Sequence, residues 1–179
     1  MISSINHYWV EGKCEQFFVI SSPLLGKPEI VDLTELNVNQ VRKKTIKLSG
    51  NKKNVWINIV FDTDVLKNTP AKLECFLNNI SYLLKQGFNL RLLQQDNDFE
   101  DEIIKSNNLN YQKFLNLFEV RNKKEFKSNM LSENSMYEKF CKKIKSFTLW
   151  ESNLIIQLSK YDNKKNNYAK LPKKPVKNH

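Results

Sequence analysis

Residues 55–93 read VWINIVFDTDVLKNTPAKLECFLNNISYLLKQGFNLRLL and carry the clearest architectural signal in the chain. In an extended segment, Val55, Ile57, Ile59 and Phe61 fall on one face and Trp56, Asn58 and Val60 on the other. Mainly apolar and β-branched side chains on both faces mark a central strand buried on both sides. Over 70–86, Leu73, Phe76, Leu77, Ile80, Leu83 and Leu84 recur at the i, i+3, i+4, i+7 spacing of one helical face. Thr69 stands at the capping position, Pro70 at the first helical position and Gly87 just beyond the end, which are the residue types those positions favour. Residues 88–93 then alternate Phe88, Leu90 and Leu92 with Asn89 and Arg91, as a strand near a sheet edge would. Strand, helix and strand in this order predict a βαβ unit with parallel strands and a right-handed crossover.

Outward from this unit, β-branched and aromatic runs predict further strands over 16–21, 29–33, 44–48 and 153–158. Helical patterns follow over 99–105, 111–118 and 133–147, with Ser132 as the expected cap of the last. The expected class is α/β, or α+β: a mixed sheet containing the βαβ unit, with C-terminal helices packed on it. One globular domain over 1–160 suits a chain of this length. Residues 161–179, rich in lysine and asparagine with two prolines, are expected to form a disordered tail, because so few apolar groups cannot offset ordering entropy.

The 179 residues carry a net charge of +10, which suggests a polyanionic partner. Seven lysines against one aspartate over 159–179 leave that stretch at +6 and the rest of the chain at +4. Lys164, Lys165, Lys170, Lys173, Lys174 and Lys177, with Tyr161 and Tyr168 among them, are therefore the candidate nucleic-acid contacts: lysines for phosphates, rings for bases. Cys14, Cys75 and Cys141 are odd in number and lack a Cys-x-x-Cys pair, so they read as reduced thiols. With no signal-like start and no long apolar run, a cytoplasmic location without a transmembrane segment is expected.

Two histidines, His7 and His179, leave little material for a Ser-His-Asp or Cys-His centre. Gly12, Gly26, Gly50 and Gly87 form neither of the common phosphate-loop spacings, and Gly26 before Lys27 and Pro28 reads as a turn. The chemistry-bearing pattern is acidic. Asp62 and Asp64 follow the first strand of the βαβ unit, and Asp96 and Asp98 follow the second. Parallel strands bring those ends to one edge, where open α/β sheets bind ligands. Asp62, Asp64 and Asp96 are thus candidate ligands for Mg²⁺ or Mn²⁺, although no cofactor is required by the sequence. Glu100, Asp101 and Glu102 also fit a solvated helix start.

From about Lys53 to Asp96 the chain resembles von Willebrand factor A-like domains of the bacterial MoxR-associated type, in its buried strand ending in Asp, its helix, its glycine and its second strand. That resemblance implies a metal-adhesion motif D-x-S-x-S, where this chain has Asp62-Thr63-Asp64-Val65-Leu66. The same residues are similar to the first motif of haloacid dehalogenase-like phosphatases, which would make Asp62 a nucleophile and Asp64 an acid. Gln94 and Gln95 stand where that family needs Ser or Thr. Two functions follow as expectations. The first is a non-enzymatic binding or assembly module for protein or nucleic acid. The second is a Mg- or Mn-dependent phosphoryl-transfer or nuclease enzyme using carboxylates at the sheet edge.

Overall fold

A computed structural model describes residues 4–48, 52–132, 136–161 and 168–175. Four parallel strands form one sheet: β1 (Ile5–Val10), β2 (Lys27–Ile30), β3 (Val55–Asp62) and β4 (Asn89–Gln95), in the order β2-β1-β3-β4. The register pairs Trp9 with Ile59 and Glu29, and Asn58 with Arg91. The α/β class is as expected, the sheet is parallel throughout rather than mixed, and β4 does occupy an edge.

Alternation along the strands separates two apolar layers. On one face Val55, Ile57, Ile59 and Phe61 of β3 pack with Trp9 of β1. Helices α2 (Val38–Ile46), α3 (Thr63–Asn68) and α4 (Pro70–Lys85) cover them through Val41, Leu66, Phe76, Ile80 and Leu83. On the other face Tyr8, Val10, Val60 and Leu93 meet α1 (Lys13–Ser21), α5 (Phe99–Ser106), α6 (Tyr111–Phe118), α7 (Lys123–Leu131) and α8 (Met136–Lys143). Phe18 of α1 sits at the centre of this second layer, with six ring centroids between 5.8 and 6.1 Å away.

The βαβ unit over 55–93 forms as the pattern requires, and Gly87 takes the left-handed conformation at φ 85°. Thr69 occupies the N-cap through its backbone carbonyl, which accepts from Lys72 and Leu73; its side chain makes no cap bond. Gly26 closes the turn before β2 at φ 154°, and a Cβ there would stand 2.8 Å from the Asn6 carbonyl and 2.7 Å from the Tyr8 ring.

Three expected strands are corrected. Residues 16–21 belong to α1 and 44–46 to α2, while 156–161 form a 3₁₀ turn. In the first, the run Phe17-Phe18-Val19-Ile20 has strand propensity, yet Cys14, Phe18 and Val19 are buried on a helix because the second layer needs one there. In the second, the Asn37–Gln40 capping box starts a helix before the β-branched residues are reached. Of the last expected helix, α8 covers Met136–Lys143, and residues 133–135 lie outside the described residues. Ser132 closes α7 instead of opening α8, donating its hydroxyl to the Asn129 carbonyl.

The expected tail is also corrected where it is described. Tyr168 and Leu171 are buried among the aromatics around Phe18. Leu25 N–H donates to Pro172 O at 2.8 Å, and Leu24 bridges to Lys173 in antiparallel fashion. Two large apolar side chains three residues apart, plus backbone pairing, offset the ordering entropy that composition alone suggested would win. Among the described residues no helix is long and apolar enough to cross a membrane.

Replacing Phe18 with Ala should cost about 3–5 kcal/mol of unfolding free energy in urea denaturation, and Phe18→Leu well under half of that. Equal losses for the two variants would show that the aromatic layer is not packed around this ring.

Candidate functional site

The strand order places a topological switch between β1 and β3. From β1 the chain leaves through α1 toward β2; it returns through α2 to β3 on the opposite side. The helices diverge there and leave a crevice at the carboxyl ends of the strands, where open α/β sheets bind ligands. In this chain the crevice is a cleft of about 380 Å³ lined by Glu11, Gly12, Lys13, Cys14, Glu15, Asp32, Asp62, Lys127 and Leu131.

Each of the three adjacent strands contributes one carboxylate. Glu11 follows the last residue of β1, Asp32 follows Val31, whose amide donates to Val10 O at 2.9 Å, and Asp62 ends β3. Asp32 is partly committed, because its Oδ1 accepts from the Thr34 amide at 2.8 Å and hydroxyl at 2.7 Å. Glu15, in the first turn of α1, is buried and folds back so that its carboxylate accepts from the amides of Gly12 and of Glu15 itself. Glu11 Oε1 and Asp62 Oδ1 are different: both are buried and have no hydrogen-bond partner among the described residues.

Electrostatics follow from this placement. Burial, and then the neighbouring charges of Asp62, Asp32 and Glu15, push the Glu11 carboxyl up to about 9, against the opposing effect of the Asp62 amide. Burial and then Glu15, Asp64 and Asp98 push Asp62 up to about 8, with Lys127 opposing. Glu15 is raised by burial as well. The cleft thus gathers several carboxyl groups whose burial and mutual repulsion favour the protonated form.

Asp64 lies one turn outside, exposed, with Oδ1 accepting from the Val65 amide at 2.6 Å. Asp96 does reach the same rim, but Lys105 holds it at 2.8 Å and Lys67 stands 3.7 Å away. Asp98 caps α5 by accepting from the Asp101 amide and pairs with Lys123 at 3.0 Å. The β3 and β4 ends are stitched together beneath these acids: Thr63 N–H donates to Asn97 O at 3.1 Å and Asn97 N–H to Thr63 Oγ1 at 2.9 Å. Of the three expected metal ligands, then, Asp62 is in the cleft, Asp64 at its margin and Asp96 in an ion pair. Among the described residues no group of three or more His, Cys, Asp or Glu side chains is assembled to hold an ion.

The expected nucleic-acid contacts divide differently. Lys164, Lys165 and Lys177 lie outside the described residues. Lys170 is exposed; Lys173 Nζ sits 3.4 Å from the Tyr168 ring centroid, and Lys174 Nζ donates to Ser22 O at 3.0 Å. The latter two fasten the C-terminal segment to the body.

Sequence reasoning missed Glu11, Glu15, Asp32 and Lys127. The available signal was Ile5-Asn-His-Tyr-Trp-Val10, a short β-rich run ending directly at Glu11-Gly12. Assigning 16–21 to a strand concealed the turn from β1 into α1.

The signs of the shifts make a test. Glu11 and Asp62 have folded values above their unfolded ones, so the stability they contribute is complete below about pH 4 and is lost as pH rises toward 8 to 9. Thermal midpoints should therefore fall between about pH 5 and about pH 9, and Asp62→Asn should flatten the fall while raising the midpoint at about pH 8, a gain of at least about 1 kcal/mol. A lower midpoint for Asp62→Asn at that pH would mean that the carboxylate is satisfied in the free protein.

No family model matches the sequence, and neither a curated protein nor a solved structure matches it.

Proposed function

We propose that this chain is a Mg²⁺- or Mn²⁺-dependent phosphoryl-transfer enzyme acting on phosphodiester bonds, with Glu11 and Asp62 as the principal metal-holding carboxylates. One observation supports the reading: two carboxyl groups from adjacent parallel strands enter one cleft at the switch point, each with a buried oxygen that lacks a partner among the described residues. A divalent cation held there would satisfy those oxygens and offset the repulsion among Glu11, Asp32, Glu15 and Asp62.

The donor set selects the metal class. Oxygen ligands alone suit hard cations, and Mg²⁺ is usually held by one or two carboxylates, with waters and substrate phosphate completing its shell. A ready-made cage of three or more protein ligands is not needed for that mode.

The chemistry then follows from what such an ion does. Held by Glu11 and Asp62, such an ion would neutralise phosphate charge and lower the pKa of a bound water. Hydrolysis would join the water oxygen to phosphorus and break the ester bond, with a rim carboxylate taking the water proton and solvent protonating the leaving oxygen. A histidine or a serine nucleophile has no part in this scheme, in keeping with a chain that holds only two histidines. A net charge of +10 would draw a polyanion toward the protein despite the acidic cleft.

Mn²⁺ at a hundredfold excess over its dissociation constant should stabilise the protein by about 2.7 kcal/mol, a rise of several degrees in midpoint. The rise should grow with pH, because binding displaces protons from Glu11 and Asp62. Glu11→Gln and Asp62→Asn should each abolish it, together with Mn²⁺-dependent cleavage of bis(p-nitrophenyl) phosphate. Absence of both a midpoint shift and metal-dependent cleavage in the parent protein would rule the reading out.

A further inference from the structure

A cleft that binds phosphate through metal ions still needs a group to orient the non-bridging oxygens, and Lys127 stands where such a group is required. It projects from α7 into the cleft that holds Asp62 and Glu15. Its Nζ lies 3.1 Å from Glu100 Oε2, yet its own side chain is 46% exposed whereas that of Glu100 is 0% exposed. The ammonium is therefore anchored from below by a fully buried acid and open toward the cleft above.

Two features separate this pair from an ordinary surface ion pair. Among the described residues neither Glu100 oxygen has a hydrogen-bond partner, so the Lys127 ammonium 3.1 Å from Oε2 is the charge that offsets this buried acid. The helix carrying Lys127 is fixed on both sides: Phe126 and Met130 are buried in the aromatic layer, and Lys123 bridges to Asp98 at 3.0 Å and Asp101 at 2.6 Å. A long, flexible side chain is thereby delivered from a rigid base, as a substrate-orienting group must be.

We propose that Lys127 is the phosphate contact of this cleft: its ammonium takes a non-bridging oxygen of a nucleic-acid phosphodiester, and Glu100 is the positioning residue that aims it. The assignment rests on the metal-dependent reading of the same cleft. Lys127 moves from a single carboxylate to a shared contact between Glu100 and phosphate, which uses donors left idle in the free protein.

The test compares the parent with Lys127→Met, Lys127→Arg and the double variant Glu100→Gln/Lys127→Met, which avoids stranding a buried charge. Mn²⁺ affinity is measured by calorimetry, and cleavage is measured on a fluorescein-labelled single-stranded DNA oligonucleotide. Lys127→Met and the double variant should bind Mn²⁺ as tightly as the parent or tighter, with kcat/KM lowered about 10²- to 10³-fold, as for loss of a charged transition-state contact. Lys127→Arg should recover to within about tenfold of the parent, because a guanidinium also contacts phosphate. Glu100→Gln alone should lower kcat without weakening Mn²⁺ binding. Cleavage by the double variant within about twofold of the parent would overturn the role of Lys127 and leave the metal reading standing. A parent that binds Mn²⁺ but does not cleave DNA would overturn the substrate assignment, and a parent that binds no Mn²⁺ would overturn both.

Discussion

Parallel pairing of β1 with β3 is the constraint on which the rest depends. Antiparallel neighbours would send Glu11 and Asp62 to opposite ends of the sheet; parallel ones bring both to a single rim. Their crossovers run to opposite sides, and the cleft left between them is lined by the first turn of α1 and by Lys127 and Leu131 of α7.

The two apolar layers make this arrangement tolerable. Burying carboxyl groups is unfavourable, and four of them near one another more so. Against that stand the Phe18-centred aromatic layer on one face and the Phe61–Phe76 contact, at 4.8 Å between centroids, on the other. Stability built in the layers supports a rim of buried carboxyl groups that is itself unfavourable. The C-terminal segment belongs to this support: Tyr168 and Leu171 complete the Phe18-centred layer, and Lys173 and Lys174 hold the strand-like contact at Leu24 and Leu25.

How much of this was legible in the sequence differs by element. Residues 55–93 could be read because two-sided apolar alternation, a capped amphipathic helix and a terminating glycine all agree. Asp62 was found for the same reason, since its place follows from a strand whose direction is fixed. Glu11 was not, because β1 is short and its alternation includes Asn6 and His7, polar residues that look like a loop. Asn6 is in fact satisfied across the sheet, where Arg91 Nη1 donates to both Asn6 and Asn58 Oδ1 at 3.1 Å and its guanidinium stacks 3.8 Å from the Trp56 ring. Lys127 was legible only as the end of a basic stretch over 121–127 whose facing could not be read, because α7 reaches the cleft through tertiary packing of Phe126 and Met130, which no local pattern encodes.

The most direct measurement is an anomalous difference map from crystals grown with Mn²⁺. The account predicts a peak within about 2.5 Å of carboxylate oxygens of both Glu11 and Asp62, with water completing the shell. Peaks confined to exposed acids such as Asp64 or Glu119, with Glu11 and Asp62 unbound, would contradict it.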